Sequence, residues 1–174
     1  SRGRKRVFID TDVVTEAKKR VRHIIDSHDC LIVAYSGGKD SMATLLVVKE
    51  VYDERGITEP IKCWFRDEEV IPQSVVDWVK HTADLPWVSL EWWACPLKGS
   101  YFRLNEIKPY IQWDPGREWV RPKPDWALTQ KDLGIPDGVV LDQYSCDEVM
   151  AARHRGKVAI LNGMRTDEIG RAHV

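Results

Sequence analysis

Cys30-Leu31-Ile32-Val33-Ala34-Tyr35-Ser36-Gly37-Gly38-Lys39-Asp40-Ser41 is the stretch on which the fold turns. Its first half is a continuous, β-rich apolar run, the pattern of a strand buried on both faces, and such strands belong to parallel sheets. Two adjacent glycines then stop the strand. Residues 41–52 are apolar nearly all round, which predicts a buried helix ending near Arg55-Gly56. Upstream, Asp10-Thr11-Asp12 supplies capping oxygens for a helix whose apolar positions Val13, Ala17, Val21, Ile24 and Ile25 recur at helical spacing through Ser27. The Lys18, Lys19, Arg20 and Arg22 face of that helix reads as solvated surface. Downstream, residues 61–65 predict a second strand, Gln73–Ala83 a helix and residues 87–93 a third strand. Strand alternating with helix implies right-handed crossovers and an α/β layered fold with a mostly parallel sheet.

Regularity fades over residues 96–138. Six prolines fall there, and seven basic residues (Lys98, Arg103, Lys108, Arg117, Arg121, Lys123, Lys131) nearly balance six acids (Glu106, Asp114, Glu118, Asp125, Asp132, Asp137). Trp113, Trp119 and Trp126 are interleaved with these charges. A Trp/Pro-rich segment of this length reads as an insertion or lid. The chain then returns to order, with a helix predicted over residues 141–155 and a short strand over residues 158–161 ending at Asn162-Gly163.

The 174 residues are 43% hydrophobic and 30% charged, which suits a single domain over residues 1–174 and excludes a disordered chain. A domain of this size removes about two-thirds of its unfolded surface from water, so it needs no disulfide or structural metal. Cys30, Cys63, Cys95 and Cys146 include no CxxC pair, which argues against a zinc ribbon, an iron–sulfur cluster or a thioredoxin-like site. Reduced thiols in a cytoplasmic protein are the plain reading. No apolar run approaches the roughly 20 residues of a membrane span, and no signal-peptide pattern opens the sequence. The formal net charge is −1, so overall charge gives no argument for nucleic-acid binding, although residues 1–8 form a basic arm with Arg2, Arg4, Lys5 and Arg6.

Chemistry concentrates at Ser36-Gly37-Gly38-Lys39-Asp40-Ser41, between a buried strand and a buried helix. Glycines permit a tight turn and close approach of a ligand, and the helix start offers unpaired amide donors and the positive end of its dipole to an anion. Ser36 and Ser41 add hydroxyls and Lys39 a mobile cation. The Walker loop is excluded, because it needs four residues between its glycines and here they are adjacent.

This hexapeptide resembles the pyrophosphate loop of the ATP pyrophosphatase and phosphoadenylylsulfate (PAPS) reductase superfamily. Trp92-Trp93-Ala94-Cys95-Pro96-Leu97, Trp113-Asp114-Pro115, Trp119-Val120-Arg121-Pro122 and Gly163-Met164-Arg165-Thr166-Asp167-Glu168 extend the likeness to PAPS-reductase-like proteins of the IbrA kind. The resemblance implies a three-layer, Rossmann-like fold of the adenine nucleotide alpha hydrolase type. It implies that Ser36, Gly37, Gly38, Lys39, Asp40 and Ser41 hold the phosphates of ATP, or of PAPS or its unphosphorylated relative APS. Gly163, Arg165 and Glu168 border the substrate in this reading, with Arg171 a few residues on, and Ile169 stands where the family usually has Ser. Lys39, Asp40 and Arg165 are the expected catalytic groups.

Asp67-Glu68-Glu69 follows the second strand and so lies at the edge where open α/β sheets bind ligands. Carboxylates there suit Mg²⁺ or a ribose hydroxyl, and Asp67 and Glu69 match acids of the resembled family; an acidic cap for the next helix explains them equally. Asp40, Asp67 and Glu69 are the Mg²⁺ candidates. Cys95 ends the third strand, where a thiol serves either as a nucleophile or sulfur carrier or as a small buried filler. No histidine is spaced with a second ligand in a way that demands metal.

Three functions compete. An ATP pyrophosphatase would adenylylate an acceptor, which the sequence does not identify, and release pyrophosphate. A PAPS- or APS-binding enzyme would transfer or reduce sulfur, but the Glu-Cys-Gly-type motif of true reductases does not follow Cys146 in this sequence, and a longer natural chain stays open. An IbrA-like regulator, or a nucleic-acid module stacking bases on Trp113, Trp119 and Trp126 beside Arg117, Arg121 and Lys123, would bind without turnover. A packed lid explains the same tryptophans. Homo-oligomerisation and a protein partner are left open as well.

Overall fold

The structure, a computed structural model, describes residues 10–164, and over residues 101–103 the backbone alone. The basic arm, Arg165, Glu168 and Arg171 therefore lie outside the described residues.

Helix α1 (Val13–Ser27) begins where the sequence puts it: Asp12 caps it, accepting from the Thr15 amide at 2.9 Å and the Thr15 hydroxyl at 2.6 Å, an interaction that stabilises a helix end by about 1 kcal/mol. Strand β1 (Cys30–Ala34) leads through the glycine turn into α2 (Lys39–Arg55), which Gly56 ends in the left-handed conformation at φ 65°. β2 (Ile61–Arg66), α3 (Gln73–Ala83) and β3 (Val88–Trp93) follow. After the 96–138 insertion, α4 (Gln143–Ala152) is capped by Asp142 in a reciprocal box with Ser145, and β6 (Val158–Asn162) closes the described chain.

Four strands form one sheet in the order β3-β2-β1-β6, every neighbouring pair parallel. Because successive side chains of a strand point to opposite faces, β1 feeds two cores. Leu31 and Val33 join Val21, Leu45, Val48, Val51, Val76 and Val79 beneath α1, α2 and α3, whereas Cys30 and Ile32 join Cys146 and Met150 of α4 on the other face. Helices thus cover both faces, giving an α/β fold of three layers. The basic face of α1 is not left bare: Lys18 pairs with Glu50 and Glu54, and Arg22 with Glu54, tying α1 to α2.

The insertion is more ordered than its composition suggests. Its first part is an antiparallel hairpin, β4 (Leu97–Arg103) with β5 (Glu106–Gln112), turned at Asn105 in the left-handed region at φ 63°. The expectation of fading regularity is corrected here. Strand alternation is obscured by Gly99 and Pro109, and backbone pairing with a register of Gly99 to Tyr110 and Ser100 to Pro109 holds the hairpin nonetheless. Beyond it, Leu128 bridges to Trp93 and Leu141 to Leu97, so the insertion runs along the end of β3 before rejoining the layers. No helix among the described residues is long and apolar enough to cross a membrane.

Candidate functional site

All four sheet strands run the same way, so the segments following β1, β2, β3 and β6 emerge at one edge. The chain passes from β1 to β2 to β3 on one side and returns to β6 on the other side of β1. Connections therefore diverge between β1 and β6, and such a switch point at the carboxyl ends of the strands is where open α/β sheets form a ligand crevice.

The 36–41 loop lies at that point. Gly37 has φ 75°, and a Cβ there would stand 2.8 Å from Val79 Cγ2 and 3.0 Å from Val75 Cγ1 of α3, so both backbone and packing require glycine. Gly38 begins α2 with no side-chain cap. The amides of Gly37, Lys39 and Asp40 have no protein acceptor among the described residues. Lys39 and Asp40 are exposed, and neither is in an ion pair among the described residues.

Ser41 has a different job from the one expected of a phosphate donor. It is buried, gives its proton to the Gly38 carbonyl at 2.9 Å, and accepts from the Ser36 amide at 3.2 Å and the Ser36 hydroxyl at 3.1 Å. It braces the loop from within. Gly163 stands beside the same turn: a Cβ on it would lie 2.6 Å from the Asp40 carbonyl oxygen and 2.9 Å from Thr44 Oγ1. The chain leaving β6 thus passes in backbone contact with the first turn of α2, two residues ahead of Arg165 in the sequence.

Asp67 and Glu69, expected to suit Mg²⁺ or a ribose hydroxyl, are bonded within the protein. Both are fully buried. Asp67 Oδ1 accepts from the Glu69 amide at 2.9 Å and from Arg121 Nη2 at 2.5 Å, and its Oδ2 accepts from Trp92 Nε1 at 2.8 Å. Glu69 accepts from Arg117 Nη1 at 2.8 Å and Nη2 at 2.5 Å, from the amides of Trp113 at 2.6 Å and Val120 at 3.0 Å, and from the Tyr110 hydroxyl at 3.1 Å. Every carboxylate oxygen accepts from at least one protein donor, so both acids are engaged within the protein. Among the described residues no group of three or more His, Cys, Asp or Glu side chains is placed to hold a metal ion. Of the Mg²⁺ candidates, Asp40 alone presents an exposed carboxylate.

Burial pushes the Glu69 carboxyl up, but the Arg117 guanidinium, the Val120 and Trp113 amides and the Tyr110 hydroxyl outweigh it and hold the group down at about 2. The arrangement also forces backbone: Glu69 sits at φ 61° and Trp113 at φ 52°, a conformation costing roughly 1–2 kcal/mol per non-glycine residue. Trp113 is buried, its Nε1 donating to the Asp67 carbonyl at 2.8 Å, with Arg121 over its ring at 5.2 Å. Arg121 Nε further donates to the Glu69 carbonyl at 3.0 Å, whereas its Nη1 is buried with no partner among the described residues. Trp119 and Trp126 are partly exposed; Trp126 stands edge-on to buried Trp92 at 5.4 Å.

Cys95 is the buried filler of the two readings. Desolvation pushes its thiol up to about 12, Cys63 likewise to about 12 and Cys146 to about 11, so none is a thiolate near neutrality. Two clefts elsewhere, about 250 Å³ beside Lys62, Glu91 and His154 and about 230 Å³ beside Tyr52 and Trp87, do not border the 36–41 loop.

The 36–41 loop, Gly163, Asp67 and Glu69 all stand at the edge of the sheet where the sequence places them. Sequence reasoning missed the role of Arg117 and Arg121 as partners of those acids, and Tyr110 altogether.

Comparison with known proteins adds one relative. The chain is 25% identical over 169 residues to the uncharacterized protein YbdN of Escherichia coli K12; the match covers 94% of this chain and 41% of that protein. The chain thus spans about two-fifths of the relative's length. No family model and no solved structure matches.

Proposed function

We propose that this chain is an adenine-nucleotide-binding domain of the pyrophosphate-loop kind, with the adenine nucleotide alpha hydrolase-like fold, that splits ATP between its α- and β-phosphates. The observation that carries the reading is the 36–41 loop at the sheet's switch point, exposed at Ser36, Gly38, Lys39 and Asp40, with the amides of Gly37, Lys39 and Asp40 free of protein acceptors among the described residues. Unpaired amides at a helix start, with a lysine beside them that has no carboxylate partner among the described residues, favour a multiply charged anion.

In this reading an acceptor oxygen attacks the α-phosphorus, the new O–P bond forms as the bond to the bridging oxygen breaks, and pyrophosphate leaves. The free amides and Lys39 meet the charge that develops on the leaving group. Asp40 is the residue that would hold Mg²⁺ together with the phosphates, and the ion would supply charge neutralisation. Arg165 and Glu168 remain the expected contacts on the β6 side. PAPS or APS chemistry is the second reading, favoured by the same loop; the thiols of Cys63, Cys95 and Cys146, buried and held at about 11 to 12, are poor sulfur nucleophiles for it.

Lys39→Ala tests the assignment by calorimetry with ATP and Mg²⁺ beside circular dichroism. Loss of ATP binding with an unchanged spectrum is expected, and wild-type affinity in the variant overturns the reading. Pyrophosphate release across candidate acceptors separates a turning-over enzyme from a silent binder.

A further inference from the structure

The buried acid–arginine cluster lies next to the loop without belonging to it. Ala34 pairs with Trp64, and the Tyr35 amide donates to the Trp64 carbonyl, so the register carried two residues on sets Ser36 level with Arg66, one residue before Asp67. Adjacent strands are about 4.8 Å apart, so the start of the loop and the 67–69 turn are neighbours. They share a face too: Trp113 and Ala127 of the insertion belong to the same buried cluster as Tyr35, Phe65, Val76 and Trp92, and Gly37 packs on Val75 and Val79 at that cluster's rim.

Residues 110–121 are tied to the turn by more bonds than packing alone would need. Tyr110, Trp113, Arg117 and Val120 converge on the Glu69 carboxylate, and Arg121 spans the Asp67 carboxylate and the Glu69 carbonyl. Two buried non-glycine residues are held in left-handed backbone to make this possible. Such strain persists where the surroundings over-determine a conformation.

We propose that Arg117 and Arg121 are positioning residues that hold residues 113–126 as a ready-built wall on the nucleoside side of the crevice. The inference rests on the nucleotide reading above. Its exposed rim, Trp119 and Trp126, offers flat aromatic surface to a base, while the loop alone meets the phosphates. Pre-organisation of this kind strengthens binding of the part of the ligand that meets the wall, because no ordering remains to be done when it arrives.

The probes are sodium pyrophosphate, which meets the loop only, and ATP, which meets loop and wall. Glu69→Gln with Arg117→Met removes the charges in pairs, so no buried ion is left alone; Arg121→Lys keeps the charge and loses the planar fork. In the paired variant, amide exchange over residues 113–120 is expected to quicken while β1 and α2 keep their protection. Pyrophosphate affinity should stay within about twofold and ATP affinity fall about tenfold, with Arg121→Lys between. An equal fall for both probes, unchanged ATP affinity beside a loosened insertion, or unchanged exchange overturns the wall. A wild-type chain that binds neither probe overturns the nucleotide reading and the wall with it, whereas one that binds pyrophosphate as tightly as ATP overturns the wall alone. Should the paired variant fail to fold, Arg121→Lys decides by the same criteria.

Discussion

Glu69 links the stability of this fold to pH in a direction that can be worked out. Its carboxyl titrates at about 2 in the folded chain against 4.5 for an ordinary glutamate. At about 1.4 kcal/mol per pKa unit, the gap corresponds to about 3 kcal/mol of stability as an upper bound. A folded-state value below the unfolded one means the stabilisation is present above pH 4.5 and is lost as pH falls through about 2. Integrating over the two titrations, about 2 kcal/mol of it is gone by pH 3. The assay is urea unfolding of wild type and Glu69→Gln at intervals from pH 7 to pH 3, followed by tryptophan fluorescence, since Trp92 and Trp113 are bonded into the cluster. At pH 7 the variant should be less stable by up to about 3 kcal/mol, a figure that already includes the loss of the Arg117 counter-charge. The difference should narrow by about 2 kcal/mol between pH 6 and pH 3. A difference of constant size across that range would refute the assignment of Glu69 as an ionised, bonded anchor.

Gly163→Ala is expected to destabilise the chain by about 2–3 kcal/mol in thermal or urea unfolding, since the added methyl meets the backbone of Asp40 rather than a side chain that can swing away. The thiols of Cys63, Cys95 and Cys146, buried and pushed up to about 11 to 12, should resist a colorimetric disulfide reagent at pH 8 in the native chain and react once urea unfolds it. Rapid native reaction at Cys95 would restore the sulfur-carrier reading.

The layers of this fold are legible wherever one segment carries its whole signal. Leu31 and Val33 face one core and Cys30 and Ile32 the other, and a strand apolar at every position has no other use in a protein of this size. Helix α3 has the predicted bounds, Gln73–Ala83, because its apolar spacing needs no help from elsewhere. The hairpin is illegible for the converse reason. Its turn is Leu104-Asn105 rather than a two-residue Asn-Gly, and Gly99 and Pro109, both poor strand residues, sit at neighbouring positions in the pairing. The acids differ: their place at a strand end is legible, but their partners, Arg117 for Glu69 and Arg121 for Asp67, lie 48 and 54 residues on.

The two glycines of the loop look alike in sequence and differ in what they explain. Gly37 is required by φ 75° and by Val79 and Val75, so its presence argues for the packing of α3 and carries no information about a ligand. Gly38 is at φ −84° and ψ 164°, ordinary backbone for any residue, and a Cβ there would meet only Ser36 Oγ at 3.4 Å. Packing gives no reason for glycine at this position; its place as the N-cap of α2 gives a modest one, and the nucleotide reading proposed above adds close approach of a ligand to the first amides of α2. Gly38→Ala should therefore leave the fold nearly as stable as wild type, within about 1 kcal/mol, because the poorer helix cap and the stiffer unfolded chain act in opposite directions. Pyrophosphate and ATP affinity should both fall about tenfold, since the methyl intrudes beside the free amides. Gly37→Ala, in contrast, should lose stability first. If Gly38→Ala binds as wild type does, the loop is a strand-to-helix turn and nothing more.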